Sequence, residues 1–201
     1  MKAFKSLLCS LLLIACMTVP VFANDDAETF SIAIDYTNPN GYSQTFTDED
    51  GNIIEVEISP VEDVVARGYS EEELGYGTYT RTASVSFTER TCNETMTLSF
   101  KFKATISGTE NPKLHSISNI VRNRIYTYSG PTINRQYASS SAPARITASG
   151  TGRFSNEVVK ALSIVVQLSY SEILTISTST SYIIVSIQWL FITRKRKIWK
   201  K

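Results

Sequence analysis

The sequence predicts an all-β protein, a single antiparallel β-sandwich or partly closed barrel of about eight strands. Three observations carry this. Apolar and polar residues alternate in run after run, turn residues punctuate the runs at short intervals, and almost no segment keeps a helical period for long. The 201 residues suffice for one globular domain plus a targeting or anchoring segment. With 19% charged and 10% aromatic residues the chain has the composition of a folded protein rather than a disordered one. Three cysteines and one histidine exclude a zinc-knuckle array, a haem-attachment motif and a disulfide-stapled miniprotein.

The elements follow in order. In residues 29–36, Phe30, Ile32, Ile34 and Tyr36 point one way. Residues 43–47 and 53–59 flank the turn Asp48-Glu49-Asp50-Gly51-Asn52, and Asp-Gly between two alternating runs signals a hairpin. Ile54, Val56 and Ile58 give the second run its apolar face, and Pro60 ends the unit. Residues 61–75 break the pattern; Ser70-Glu71-Glu72-Glu73 suits a helix start, and a connecting segment without helix fits equally.

Residues 77–89 make one long run, and residues 94–107 read as the clearest strand. There Met96, Leu98, Phe100, Phe102, Ala104 and Ile106 face inward, opposite Thr97, Ser99, Lys101, Lys103 and Thr105. Weaker runs lie at 115–128 and 132–137, and further ones at 145–154 and 158–170. Residues 158–168 are apolar on both faces in places, as a central strand would be.

The two ends read as addresses. Lys2 and Lys5, the apolar stretch 7–17 and Val21-Phe22-Ala23 predict a signal peptide over residues 1–23, cleaved after Ala23. Leu13-Ile14-Ala15-Cys16 offers a rival route, a bacterial lipobox with Cys16 as the lipidated residue. After cleavage at Ala23 only Cys92 remains, so no disulfide can form within the chain and the core must hold the domain. A β-sandwich-like domain is expected over 24–171. Residues 173–193 carry no charge, and Arg194, Lys195, Arg196, Lys197, Lys200 and Lys201 follow. The segment 172–193 therefore reads as a transmembrane stop-transfer helix with a basic tail over 194–201, or as a terminal strand. The Ser/Thr-rich run 175–181 dilutes the helix reading and the β-branched core 182–192 suits a strand, so the anchor stands level with a terminal strand or disordered tail.

Charge is segregated. Residues 24–73 hold 14 acids and one base, whereas residues 74–193 hold 5 acids and 11 bases. Either the acidic hairpin faces the later basic strands across the fold, or it presents a solvated acidic face.

No set of residues makes a catalytic, cofactor or metal site on this reading. His115 would have to serve any Ser-His-Asp or Cys-His arrangement, yet no Gly-x-Ser-x-Gly elbow accompanies it. Cys92 lies in a turn where Arg90 would lower its pKa and Glu89 and Glu94 would oppose that. Asp48, Asp50 and Asn52 have the alternate spacing of a calcium loop. Gly51 stands at the wrong position and Ser59 replaces the closing glutamate, so a hairpin turn fits better. Glu55 and Glu57 share one strand face, unlike an acid–base pair set across a cleft. Arg122, Arg124, Arg135, Arg145 and Arg153 with Tyr126, Tyr128 and Tyr137 would suit a surface for polyanions or sugars, or a cross-strand ladder facing water.

Several segments occur together in a telling order: Phe30-x-Ile32-x-Ile34, Gln44-Thr45-Phe46-Thr47, Asp48-Glu49-Asp50-Gly51-Asn52, Val56-Glu57-Ile58-x-Pro60 and Ala66-Arg67-Gly68. With the signal ending Val19-Pro20-Val21-Phe22-Ala23, they resemble a family of short secreted proteins of Gram-positive bacteria, an uncharacterised family known as a domain of unknown function. The resemblance spans roughly residues 1–170 and implies export without supplying a catalytic residue; the segment 173–201 departs from its pattern.

The expectation is thus an exported, non-enzymatic extracellular β-domain without a cofactor. Its partner would be an extracellular protein or polysaccharide, not nucleic acid, with membrane anchoring through the C-terminus where the helix alternative holds. A cell-envelope hydrolase is the alternative.

Overall fold

A computed structural model describes residues 28–36, 38–62, 77–107 and 109–182. The signal-peptide segment, residues 63–76, and residues 183–201 with their basic tail lie outside the described residues. The chain forms strands β1 (Glu28–Asp35), β2 (Tyr42–Thr47), β3 (Ile53–Ile58), β4 (Gly77–Glu89) and β5 (Glu94–Ile106). It continues through β6 (Lys113–Asn123), β7 (Ile125–Arg135), β8 (Ala144–Arg153), β9 (Val159–Leu168) and β10 (Ile173–Tyr182). No helix occurs among the described residues.

The strands build two five-stranded antiparallel sheets, ordered β1-β10-β9-β8-β7 and β2-β3-β4-β5-β6. Followed around the molecule, the strands keep their chain order, and the hydrogen-bonded ladder breaks between β1 and β2 and between β6 and β7. The architecture is an all-β sandwich that is not closed.

Ten strands form where about eight were expected, and the runs 115–128 and 132–137 are divided differently, the end of the first joining the second in β7. The run 115–128 is two strands divided at Arg124, whose φ of 56° reverses the chain without a glycine. Residues 173–182, the first half of the segment with two readings, form β10 between β1 and β9.

Alternation places the core as expected along β5, where Phe100 and Phe102 are buried and their ring centroids stand 6.4 Å apart. The same core takes in Leu162, Ile164, Val166 and Leu168 of β9, a central strand of the other sheet, with Ile146 of β8 and Ile176 of β10. The inward row of β8 then shrinks to Ala148, Gly150 and Gly152. A Cβ on Gly152 would meet Met96 Sδ at 2.6 Å, so the glycine admits a side chain from the other sheet.

Among the described strand residues three inward positions carry charge: Arg81 and Glu89 on β4 and Lys160 on β9. Arg81 continues the row of Tyr79, Ala83 and Val85 on β4 and is fully buried. Its guanidinium donates to the carbonyls of Tyr36, Asn38, Asn40 and Ser59, which lie before β2 and after β3. Both terminal nitrogens of the guanidinium are thus paired, whereas Nε is buried without a hydrogen-bond partner. Lys160 of β9 faces inward at the other end, with Nζ 5.0 Å from the centre of the Phe87 ring and 3.9 Å from Asp48 Oδ2.

Candidate binding surface

The outer face of the β1-β10-β9-β8-β7 sheet is built from short hydroxyl side chains in register. One row reads Ser31, Ser177, Val165, Thr147, Thr132 across the five strands. In the next, Ser163 pairs with Ser149 and Ser149 with Ser129, while Ser163 Oγ lies 2.7 Å from Ser179 Oγ.

At the end of this face nearest the β7–β8 connection the chemistry changes. Arg135 stands directly opposite Arg145, and Arg145 opposite Gln167. A bulge makes this pairing. Ile133 pairs with Ile146 and Arg135 with Arg145, so Asn134 is the extra residue on β7. Without it Arg135 would fall on the other face, because strand side chains alternate. Asn134 is held by a hydrogen bond from Thr147 Oγ1 to its Oδ1 at 2.7 Å. Asn134, Arg135, Arg145, Gln167 and Pro143 line one pocket of about 220 Å³.

Pro143 also borders a second, more open cleft of about 380 Å³ between the β7–β8 and β9–β10 connections. Ser139, Ser140 and Ser141 line one wall, and Ser169, Tyr170 and Ser171 the other. Both walls are hydrogen-bonded turns. Ser139 N and Ala142 N exchange bonds with each other's carbonyls, and Ala138 N donates to Pro112 O of the β5–β6 connection. On the facing wall Ser169 N donates to Ile173 O, and Ile173 N to Ser169 Oγ. Tyr170 is 56% exposed, which leaves an aromatic face open to a ligand.

The arginine and tyrosine set expected from the sequence is brought together only in part. Arg122 lies over the Tyr128 ring at 4.8 Å, Arg124 pairs with Glu94 at 2.9 Å, and Arg153 pairs with Glu157 at 3.4 Å. Tyr137 sits beneath Lys113, and Tyr126 is exposed. Arg135 and Arg145 have no carboxylate within ion-pair distance among the described residues.

The other singled-out residues stay apart. His115 is on edge strand β6 with Nε2 2.8 Å from Thr105 Oγ1; burial lowers its pKa, and Lys113 and Lys103 lower it further. His115 pairs with Lys103, nine residues along β5 from the end that follows Cys92, a separation of about 30 Å. Burial raises the Cys92 thiol, which donates to Glu94 Oε2.

Asp48 accepts bonds from Asp50 N, Asn52 N and Asn52 Nδ2, so its carboxylate organises the hairpin turn in which Gly51 takes a φ of 82°. Glu55 and Glu57 are exposed on β3. Opposite charges do meet elsewhere, as Asp48 with Lys160 and Glu62 with Lys101. The acidic hairpin therefore divides between contacts with later basic strands and a solvated face. Among the described residues no group of three or more His, Cys, Asp or Glu could hold a metal ion.

Sequence reasoning missed the serine-lined cleft and the separation of Arg135 and Arg145 from the other arginines. Ser139-Ser140-Ser141 and Ser169-Tyr170-Ser171 are visible as turn residues, but their meeting depends on β8 and β9 being neighbours. No family model, curated protein or solved structure matches the chain.

Proposed function

We propose that this chain is an exported, non-enzymatic β-domain that binds a polymer of the cell surface. The observation that carries the reading is the pair of adjoining clefts sharing Pro143. Hydroxyls, amides, guanidinium groups and an exposed tyrosine ring are the groups that sugars and polyols engage. Here they stand on hydrogen-bonded turns and strands, which lowers the ordering cost of binding. Export is supported by the signal-like residues 1–23 and by the resemblance to short secreted proteins of Gram-positive bacteria. Retention at the membrane falls to residues 183–201, with their apolar stretch and basic end.

A partner protein is the second reading. Ile120 and Val121 on β6 and Tyr126 on β7 are exposed beside sheet edges, where an added strand could pair.

Co-sedimentation of the full-length protein with washed Gram-positive cell walls and insoluble polysaccharides tests the proposal. Retention of the protein without release of soluble fragments is the expected result. Steady fragment release would make it an envelope hydrolase, and failure to sediment with any polymer would overturn the polymer reading.

A further inference from the structure

We infer that Arg135, Arg145, Asn134 and Gln167 form an oxyanion site that takes a phosphate or carboxylate group of the polymer. The inference rests on the binding reading above and names the chemistry of its ligand.

Like charges placed directly opposite on neighbouring strands repel each other, so an Arg–Arg pair at positions 135 and 145 burdens the fold. A bulge is what creates this unfavourable pairing, since regular β7 would set Asn134 opposite Arg145. Cross-strand arginines elsewhere are neutralised or stacked: Arg124 by Glu94, Arg153 by Glu157, Arg122 on Tyr128. At 135 and 145 no described carboxylate does this, although both side chains line one pocket. An anion between the two guanidinium groups converts the repulsion into two charge-assisted interactions. Planar arginine forks suit the oxygens of phosphate and carboxylate. The amides of Gln167 and Asn134 border the same pocket and supply neutral donors beside the charge.

The adjoining serine cleft sets the size of the ligand. Because Pro143 lines both, a group on the arginines continues into a space edged by Ser139, Ser169 and Tyr170. A repeating chain with an anion on each unit, either a polyol phosphate or a polyuronate, fits this sequence of groups. A neutral glucan leaves the arginines unmatched.

The test uses full-length protein, Arg135→Gln, Arg145→Gln, and Arg153→Gln as a control. Arg153 lies at the far end of the same strand and is already paired. Inorganic phosphate is titrated first by NMR, then a polyol-phosphate polymer, a polyuronate and a neutral glucan are compared by sedimentation.

Phosphate should shift signals around Arg145 and Gln167. Arg135→Gln or Arg145→Gln should weaken polymer binding at least tenfold while raising Tm slightly, and Arg153→Gln should leave both unchanged. A rise in Tm with loss of binding separates a ligand site from a structural role. The polymer that binds more tightly identifies phosphate or carboxylate as the natural group.

Equal binding of charged and neutral polymers, unaffected by the variants, would overturn the site and leave the binding function standing. Phosphate shifts at these residues with no polymer retained would support the site and overturn the polymer reading.

Discussion

Lys160 and Asp48 face each other across the sandwich, with Nζ 3.9 Å from Oδ2 and both side chains almost wholly removed from solvent. Lys160 belongs to β9 of one sheet, and Asp48 to the β2–β3 turn of the other. The two partners are not equivalent. Asp48 also accepts three hydrogen bonds from its own turn, whose Asn52 Oδ1 in turn accepts from Arg90 N.

Removing Asp48 therefore costs more than removing Lys160. Asp48→Ala leaves a buried ammonium without its counter-charge and breaks the turn, and should cost about 3–5 kcal/mol. Lys160→Met retains length and packing against Phe87, while Asp48 keeps its turn hydrogen bonds, so its cost should be under about half of that. Urea midpoints at pH 7 measure the order; an equal or larger loss for Lys160→Met would contradict it.

The same lysine sets a pH window. Burial lowers its pKa to about 8 from 10.5, against the opposing attraction of Asp48. Between those values the unfolded chain holds the proton and the folded chain does not, so stability rises with pH across that window. Subtracting the Lys160→Met profile from that of the unaltered protein isolates the rise. At the acid end, burial would raise Glu89, but bonds from Cys92 and Thr91 prevail and hold it down at about 2. Its stabilisation is present above pH 4.5 and is lost as pH falls toward 2. Glu89→Gln should flatten the acid limb, and an unchanged limb would show that Glu89 does not drive it.

These polar positions mark where sequence reading stops. The alternation that places Leu98, Phe100 and Phe102 in the core also turns Arg81 and Lys160 inward, but a charged residue in the pattern signals solvent until its partners are known. Asp50-Gly51 announces its hairpin because a glycine with positive φ is required there. Arg124 takes positive φ as a non-glycine, so nothing local announces the turn between β6 and β7. The binding surface is hidden for a related reason. A bulge at Asn134 shifts the parity of Arg135, and alternation cannot reveal an added residue.

The close approach at Gly152 gives a steric prediction. An added Cβ would lie 2.6 Å from Met96 Sδ and 2.8 Å from the Arg124 carbonyl oxygen, and the backbone oxygen cannot swing away. Gly152→Ala should destabilise by about 1–3 kcal/mol through overpacking. Combining it with Met96→Ala should give a less than additive loss, because that substitution removes the flexible half of the clash. Strict additivity would show that the sheets do not meet there.

On β5 the two faces should respond differently. Phe100→Ala empties a fully buried site and should cost about 3–5 kcal/mol. Lys101 is partly exposed and paired with Glu62, so Lys101→Ala should stay within about 0.5 kcal/mol. Equal costs would place the wrong face inward.

The position of β10 determines how retention at the membrane must be tested. Reading residues 173–193 as one apolar segment makes a chain stopped after Tyr170 the natural soluble form. In the fold, however, Ile173–Tyr182 fills the space between β1 and β9, and Leu174 and Ile176 are fully buried. Without β10 the β1 strand loses its only ladder partner among the described residues, and Ile32 and Ile34 lose the sheet that holds them in the core. At about 1.5–3 kcal/mol for each of these four side chains, the loss approaches the whole stability of an ordinary domain, about 5–15 kcal/mol. Truncation after Tyr170 should therefore give aggregated or degraded protein, whatever residues 183–201 do. Truncation after Tyr182 keeps all ten strands and should show the cooperative unfolding of the full chain. Alkaline carbonate extraction of these two forms then separates anchoring from folding. If residues 183–201 anchor the protein, the full chain stays in the pellet and the form ending at Tyr182 moves to the supernatant. Full-length protein recovered free from the medium would sink the anchor, and a folded, soluble form ending at Tyr170 would sink the role assigned to β10.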